Sequence, residues 1–420
     1  MSIAILIWTL LAQQSAPPPP PQAQKVPPEA QALTEAVSDA NNSGPDIIRL
    51  LEGFLKKFPG SPQRAEIERL LARAAIDGKD DARTILYGER VLATAPDDML
   101  LLDRVARALL AVGGRENAGK SLKYSRAFAA NIDKAPPPTD DLARKQDERD
   151  RGQARALLFQ SRAQAILGDT ADAAELAARS YAIFPCEEAA REWGKALETL
   201  GQVKDAADRY ADAFAIPDSR ALDTDRAEDR RKLAELYRKA HHSEKGLGDL
   251  TLSAYDRTAT LLDSRREKLA ALDPNFVATE PMQFSLSGLD GAKLQLASLK
   301  GSVVVLDFWA TWCVPCRAQH PLYQRVLERF KERSDVVFLS VDTDEDHGLV
   351  PAFLDRNRWS RKVYFEDGLQ RLLQITSIPT TILFDRNGRV ASRMNGFLPD
   401  KFVDQLSERI ESALREPGRP

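Results

Sequence analysis

The chain has 420 residues, a length that accommodates two or three domains and a sizeable core. An apolar share of 43% and a charged share of 29% are those of a globular protein, and a net charge of −3 leaves no basic footprint for nucleic acid. Only three cysteines occur, two of them at Cys313 and Cys316, which excludes a scaffold of several disulfides and points to catalytic rather than structural use of sulfur.

Ser2 to Ala12 is an uncharged apolar run, too short to span a bilayer but as long as the core of a signal peptide. Ala12 or Ala16 supplies a small residue for cleavage, so residues 1–16 are expected to be a signal peptide or N-terminal anchor and the protein extracytoplasmic, periplasmic or membrane-tethered. No Lys or Arg precedes the run, and Pro17 follows Ala16 directly; a buried amphiphile or a wrongly chosen start codon therefore stays open. Pro17 to Pro21 and Pro27-Pro28 make residues 17–30 a Pro-rich, extended linker, with a tail of no function as the alternative.

From residue 31 to 272 apolar residues recur at three and four spacing in an Ala-, Leu-, Arg- and Glu-rich background, which predicts amphipathic helices and no strands. Two adjacent units share a period of about 33 residues. Gly168, Ala173 and Pro185 mark the first; Gly201, Ala206, Tyr210, Ala213 and Pro217 mark the second. These offsets resemble tetratricopeptide repeats, a likeness that implies a small residue where two antiparallel helices approach and an aromatic in the gap. Weaker units end at Phe58-Pro59, Ala95-Pro96 and Ala135-Pro136. Residues 131–152, with Pro136-Pro137-Pro138 and dense mixed charge, read as loop or linker, and a further hairpin is expected over residues 223–272, turning near Gly246 and Gly248. Cys186 lies among these repeats and reads as a small buried hydrophobe; His241-His242, adjacent on a helix, share no face for a metal.

Asp273-Pro274-Asn275 stops the helices, and β-like runs follow: Phe284 and Leu286, then Leu294 and Leu296, flank the turn Gly288-Leu289-Asp290-Gly291. Val303 to Trp309 is apolar except for Asp307, as in a strand buried on both faces. Cys313-Val314-Pro315-Cys316 comes next, and a helical pattern runs from Gln319 to Lys331. A cysteine at a helix start is activated there, because unpaired N–H groups and the positive end of the helix dipole favour the thiolate. Cys313 is thus the expected exposed nucleophile, and Cys316, inside the first turn, can attack a mixed disulfide formed on it. Half a zinc site is a rival reading, but the other candidate ligands, Cys186 and the histidines, lack metal-site spacing. A local staple is another, though so small a loop constrains little of the unfolded chain. An isolated carboxylate at Asp307 in a buried strand should have a raised pKa and could take the Cys316 proton, unless it reaches solvent at the strand end.

Phe308-Trp309-Ala310-Thr311-Trp312-Cys313-Val314-Pro315-Cys316-Arg317 resembles the active-site signature of the thioredoxin superfamily, and within it the TlpA/ResA-like extracytoplasmic thiol-disulfide oxidoreductases. Leu299-Lys300-Gly301, the strand Val336 to Val341 ending in Asp342, the turn Asp385-Arg386-Asn387-Gly388 of the Asn-Gly hairpin kind, and an inserted helix over residues 346–358 carry the likeness across the last third of the chain. Together with the helical repeats, the resemblance gives a multidomain protein: an all-α helical repeat domain over 31–272, then an α/β thioredoxin-like domain over 279–416. It further implies a redox disulfide Cys313-Cys316, a cis-proline at Pro379 that positions a partner chain, and Trp312 and Ile378 as substrate-facing residues. Asp307 stands where this branch often has Asn, and Gln319 where relatives frequently carry Glu. The implied role is reduction of disulfide-containing client proteins, with a membrane thiol donor for re-reduction, no cofactor and no metal. Peroxidase chemistry is not supported, because the peroxiredoxin cysteine sits in a Thr-x-x-Cys context; haem attachment would want His where Arg317 stands. The alternative is a repeat-based binding scaffold with an accessory redox domain, since helical repeats present partner-binding surfaces.

Overall fold

The computed structural model describes residues 28–40, 43–135, 142–217 and 223–415. The apolar run at residues 2–12 and the proline run at 17–21 lie outside the described residues; the expected linker reaches Ala30, but a helix already begins at Pro28. The described residues form two compact units, divided close to residues 263–264.

The first unit is helical throughout. Its helices are α1 (Pro28–Asp39), α2 (Gly44–Lys57), α3 (Arg64–Asp77), α4 (Asp81–Thr94), α5 (Met99–Val112), α6 (Arg115–Lys134), α7 (Leu142–Leu167), α8 (Thr170–Ile183), α9 (Glu187–Thr199), α10 (Val203–Ala215), α11 (Asp223–His241) and α12 (Leu247–Leu272). Helices stop where the following proline forbids the helical conformation to the residue before it: α2, α4, α8 and α10 end at Phe58, Ala95, Phe184 and Ile216, each preceding a proline. Gly168 and Gly201 take positive φ between successive helices, the role expected of a turn glycine. Ala173 and Ala206 are fully buried, and Tyr210 lies in the gap that Gly194 leaves: a methyl group on Gly194 would come within 3.0 Å of the Tyr210 ring. Between hairpins, ion pairs to buried carboxylates fix the register, Arg191 of α9 with Asp229 of α11 at 2.7 Å and Arg257 of α12 with Asp212 of α10 at 2.5 Å.

Two expectations need correction. The mixed-charge stretch 131–152 is mostly helix, since α6 runs to Lys134 and α7 starts at Leu142; pairs one turn apart, such as Asp147 with Arg151 at 2.8 Å, make those charges helix-stabilising rather than loop-forming. Cys186 is half-buried at the residue preceding α9, not enclosed in a core.

The second unit opens with a short hairpin, β1 (Ser285–Ser287) and β2 (Lys293–Gln295), followed by β3 (Val303–Trp309), α13 (Val314–Phe330), β4 (Val336–Asp342), α14 (Leu349–Asn357), β5 (Val363–Phe365), α15 (Leu369–Leu372), β6 (Thr380–Phe384), β7 (Val390–Asn395) and α16 (Phe402–Arg415). The five-stranded sheet has the order β5-β4-β3-β6-β7, with β3, β4 and β5 parallel and β6 and β7 antiparallel to their neighbours. Central β3 is buried along its whole length, as its apolar composition requires. Strand alternation sends Val304, Leu306 and Phe308 into one core with Leu286, Ile382 and Phe384, and Val303 and Val305 into the other with Tyr323 and Val326 of α13 and Phe402 and Ile410 of α16. Asp307 and Trp309 follow the second parity, toward α13. The β6–β7 turn differs from a two-residue Asn-Gly hairpin: only Gly388 has positive φ, and Gly388 N–H donates to the Asp385 carbonyl at 2.9 Å. That is a three-residue loop ending in a left-handed glycine, which also leaves room for the Met282 side chain.

Among the described residues no helix is long and apolar enough to cross a membrane. Removing the ring at Tyr210 should leave a void against Gly194. Tyr210→Ala is expected to destabilise the helical unit by about 3 kcal/mol, read as a lowered midpoint in denaturant, whereas Leu252→Ala at an exposed site should change it by less than about 0.5 kcal/mol.

Candidate active site

The loop after β3 delivers the two cysteines to the start of α13. Cys313 is the residue that caps α13: its backbone is extended, and its Sγ accepts the backbone N–H of Cys316 at 3.2 Å. Pro315 occupies the first turn, where its missing N–H has no bond to lose. Cys313 and Cys316 are joined by a disulfide. Pro321 lies inside α13, where it removes the N–H that would have bonded the Arg317 carbonyl.

In this disulfide form neither sulfur is openly exposed. Cys313 is 2% and Cys316 5% exposed, which departs from the expectation of an exposed nucleophile. The reason is local: Cys313 Sγ is bonded to its partner and to the Cys316 amide, and both residues pack in a cluster with Trp309, Ala310, Val350, Leu354 and Phe365, against which Ile378, Phe353 and Trp359 also pack. The flanking side chains face out instead, Trp312 at 67% and Val314 at 62% exposed, while Arg317 is exposed on α13. The Ile378-Pro379 bond is cis, as expected, and Pro379 enters β6, whose Thr380 pairs with Phe308 of β3. The structure thus gathers Cys313, Cys316 and Ile378 in one cluster, with Trp312 on its outer side.

Asp307 is buried, as expected, but it is not isolated. Its Oδ1 accepts from Gln319 Nε2 at 3.0 Å and its Oδ2 from Arg361 at 3.2 Å. Burial pushes its pKa up, with the Arg361 cation pulling the other way. Gln319 stands one helical turn beyond Cys316, so the carboxylate is tied to the helix of the second cysteine. Arg361 escaped the sequence reading because Ser360-Arg361-Lys362 looks like an ordinary solvated run ahead of Val363-Tyr364-Phe365.

A second carboxylate pair holds the loop before the cysteines. Asp344 accepts the Thr311 N–H at 2.7 Å and the Thr311 hydroxyl at 3.0 Å, and its own N–H donates to Asp342 Oδ1 at 3.1 Å. Burial and the neighbouring Asp344 push the Asp342 pKa up to about 8. In the sequence Asp342 reads only as a strand end, because two Asp residues spaced by one after a strand carry no distinctive signal. Among the described residues no cluster of His, Cys, Asp and Glu has the geometry of a metal site.

A family model described as AhpC/TSA family matches residues 277–409. The thioredoxin-like protein YneN of Bacillus subtilis (strain 168) is 32% identical over 126 residues, 29% of this chain and 73% of YneN. The chain belongs to the thioredoxin-like thiol-disulfide oxidoreductases. The thiol-disulfide oxidoreductase ResA of Bacillus cereus (strain ZK / E33L) is 28% identical over 156 residues, 37% of this chain and 81% of ResA. A crystal structure of a secreted Mycobacterium tuberculosis disulfide oxidoreductase homologous to E. coli DsbE is 26% identical, covering 32% of this chain and 99% of that one, with a TM-score of 0.28. Membership of these thiol-disulfide oxidoreductases rests on the second unit; the helical unit lies outside the matched residues.

Asp342 predicts a pH effect with a definite sign. Its folded pKa of about 8 lies above the ordinary carboxylate value of 3.8, so the folded protein holds the proton more tightly. The stability this contributes is complete below the ordinary value and is lost as pH rises toward and through 8. Asp342→Asn, which mimics the neutral acid, should flatten the fall in denaturation midpoint between pH 5 and 8 relative to wild type, roughly the window set by those two values. An unchanged slope would show that Asp342 ionises normally.

Proposed function

We propose that the protein reduces disulfides of extracytoplasmic client proteins through the Cys313-Cys316 dithiol. The observation that carries this reading is the placement of Cys313 Sγ as the cap of α13, bonded to the Cys316 amide, in a cluster that includes Ile378 ahead of cis-Pro379. In the dithiol form the same helix start favours a Cys313 thiolate.

The exchange balances as follows. The Cys313 thiolate attacks one sulfur of the client disulfide; a Cys313-client bond forms, the client S–S bond breaks, and the other client sulfur leaves as thiolate. Cys316 then gives its proton to Asp307 and attacks Cys313 Sγ, forming the Cys313-Cys316 disulfide and releasing the second client thiolate. Two electrons pass from enzyme to client. Trp312, exposed beside Cys313, offers an apolar face to the client, and in this reading the backbone of Ile378 pairs with an extended client segment. A membrane dithiol donor would return the enzyme disulfide to the reduced form; net direction follows from the relative reduction potentials.

In this reading residues 1–16 direct export or anchoring, 17–30 act as spacer, the repeats over 31–272 are tetratricopeptide-like and recruit partners, and 279–416 carry the chemistry. Support for recruitment is the close-packed helical hairpin architecture, since such stacks present extended surfaces.

Insulin reduction by the full chain is the direct assay, and Cys313→Ser should abolish it; turnover equal to wild type would refute the assignment. Cys316→Ala should trap clients as mixed disulfides on Cys313. Recruitment by the repeats predicts that the trapped set shrinks when exposed residues of the helical unit are changed with Cys313 intact, and a set unchanged by those substitutions contradicts it.

A further inference from the structure

Both oxygens of the buried Asp307 carboxylate are occupied, and the two partners have different origins. Gln319 comes from α13, the helix of Cys316; Arg361 arrives from the segment between α14 and β5, 54 residues away in sequence. The Arg361 side chain is only 7% exposed. Its guanidinium lies 4.2 Å from the Trp309 ring centroid and 4.5 Å from that of Trp359, so two aromatic faces hold it against the carboxylate.

The other ionisable groups near Arg361 carry little charge at neutral pH. His320 of α13, stacked on Trp359 at 3.7 Å, has its pKa pushed down to about 4 by burial and by the Arg361 cation. The buried Tyr323 phenol of the same helix is pushed well up, and Asp342 of β4 is pushed up to about 8. The positive charge of Arg361 is therefore matched chiefly by Asp307. Burial pushes the Asp307 pKa up and the Arg361 cation opposes that rise, so the cation favours the ionised form, the only form able to accept a proton.

We propose that Arg361 is a positioning residue for the exchange reaction, holding the Asp307 carboxylate in place as the acceptor of the Cys316 proton. The proposal rests on Asp307 having that role. In the resolving step the proton moves from Cys316 Sγ to Asp307, the Cys316–Cys313 sulfur bond forms, the Cys313–client bond breaks, and the electron pair leaves on the client thiolate. Arg361 touches none of the reacting atoms; it acts through the carboxylate.

The resolving step can be isolated by mixing the reduced full chain with dithiobis(nitrobenzoate) in stopped flow. The first thionitrobenzoate released reports attack by Cys313, and the second reports resolution by Cys316. The rate of the second phase should fall toward low pH as Asp307 takes up a proton. Arg361→Met should move that limb upward by about one pH unit or more and slow the phase about tenfold on the limb. Arg361→Lys should restore most of the rate. Asp307→Asn should abolish the limb, and Asp307→Asn with Arg361→Met should resolve no more slowly than Asp307→Asn alone, because the cation then has nothing to act through. A limb unmoved in Arg361→Met, with Asp307→Asn still abolishing it, overturns the role of Arg361 while leaving Asp307 as acceptor. A limb that survives Asp307→Asn overturns both. If Arg361→Met does not fold, Arg361→Gln carries the same prediction, and a rate loss with the limb unmoved marks a merely structural residue.

Discussion

Cys313 does two jobs with one sulfur. As the residue that caps α13 it accepts the Cys316 N–H, a bond that satisfies a backbone donor which the helix geometry leaves unpaired, and in the proposed reaction it is the attacking atom. The two roles demand the same position, so whatever fixes the start of α13 also fixes the chemistry. β3 supplies the approach, and the Asp344 clamp on Thr311 holds the four residues between strand and helix. Trp309, the last residue of β3, closes the floor beneath them.

Charge is the second constraint, because this floor is otherwise apolar. A lone carboxylate or guanidinium there would be costly, and the protein contains both in contact, each with further partners: Gln319 on the carboxylate, two indole rings on the guanidinium. The price is met by pairing rather than by exposure. The helical unit repeats the device with Arg191 on Asp229 and Arg257 on Asp212, pairs that lock one hairpin to the next.

What the sequence made legible followed from local rules. The apolar run at β3, the prolines that close successive helices, the turn glycines Gly168 and Gly201 and the close-packing alanines Ala173 and Ala206 each leave a short-range signature, and each lies where its signature placed it. The Cys313-Cys316 disulfide and the cis bond at Pro379 were legible because immediate sequence neighbours mark each of them. Arg361 was not: it joins Asp307 across 54 residues, and nothing near it in the chain distinguishes it from a solvated cation. The same holds for Asp344, whose partner Thr311 is 33 residues distant. Mixed charge at 131–152 misled in the other direction, since composition alone does not separate a linker from a helix laced with ion pairs. The burial of Cys313 arises from the disulfide and the packed cluster around it, neither of which spacing reveals.

If the start of α13 lowers the proton affinity of Cys313, the reduced protein will show it in its alkylation kinetics. The rate of iodoacetamide modification at each cysteine, measured against pH and located by mass spectrometry, should give a Cys313 midpoint well below the ordinary thiol value of about 8.5, with Cys316 far slower. A Cys313 midpoint at or above about 8.5, or equal rates at the two sulfurs, would contradict the assignment of Cys313 as the attacking thiolate.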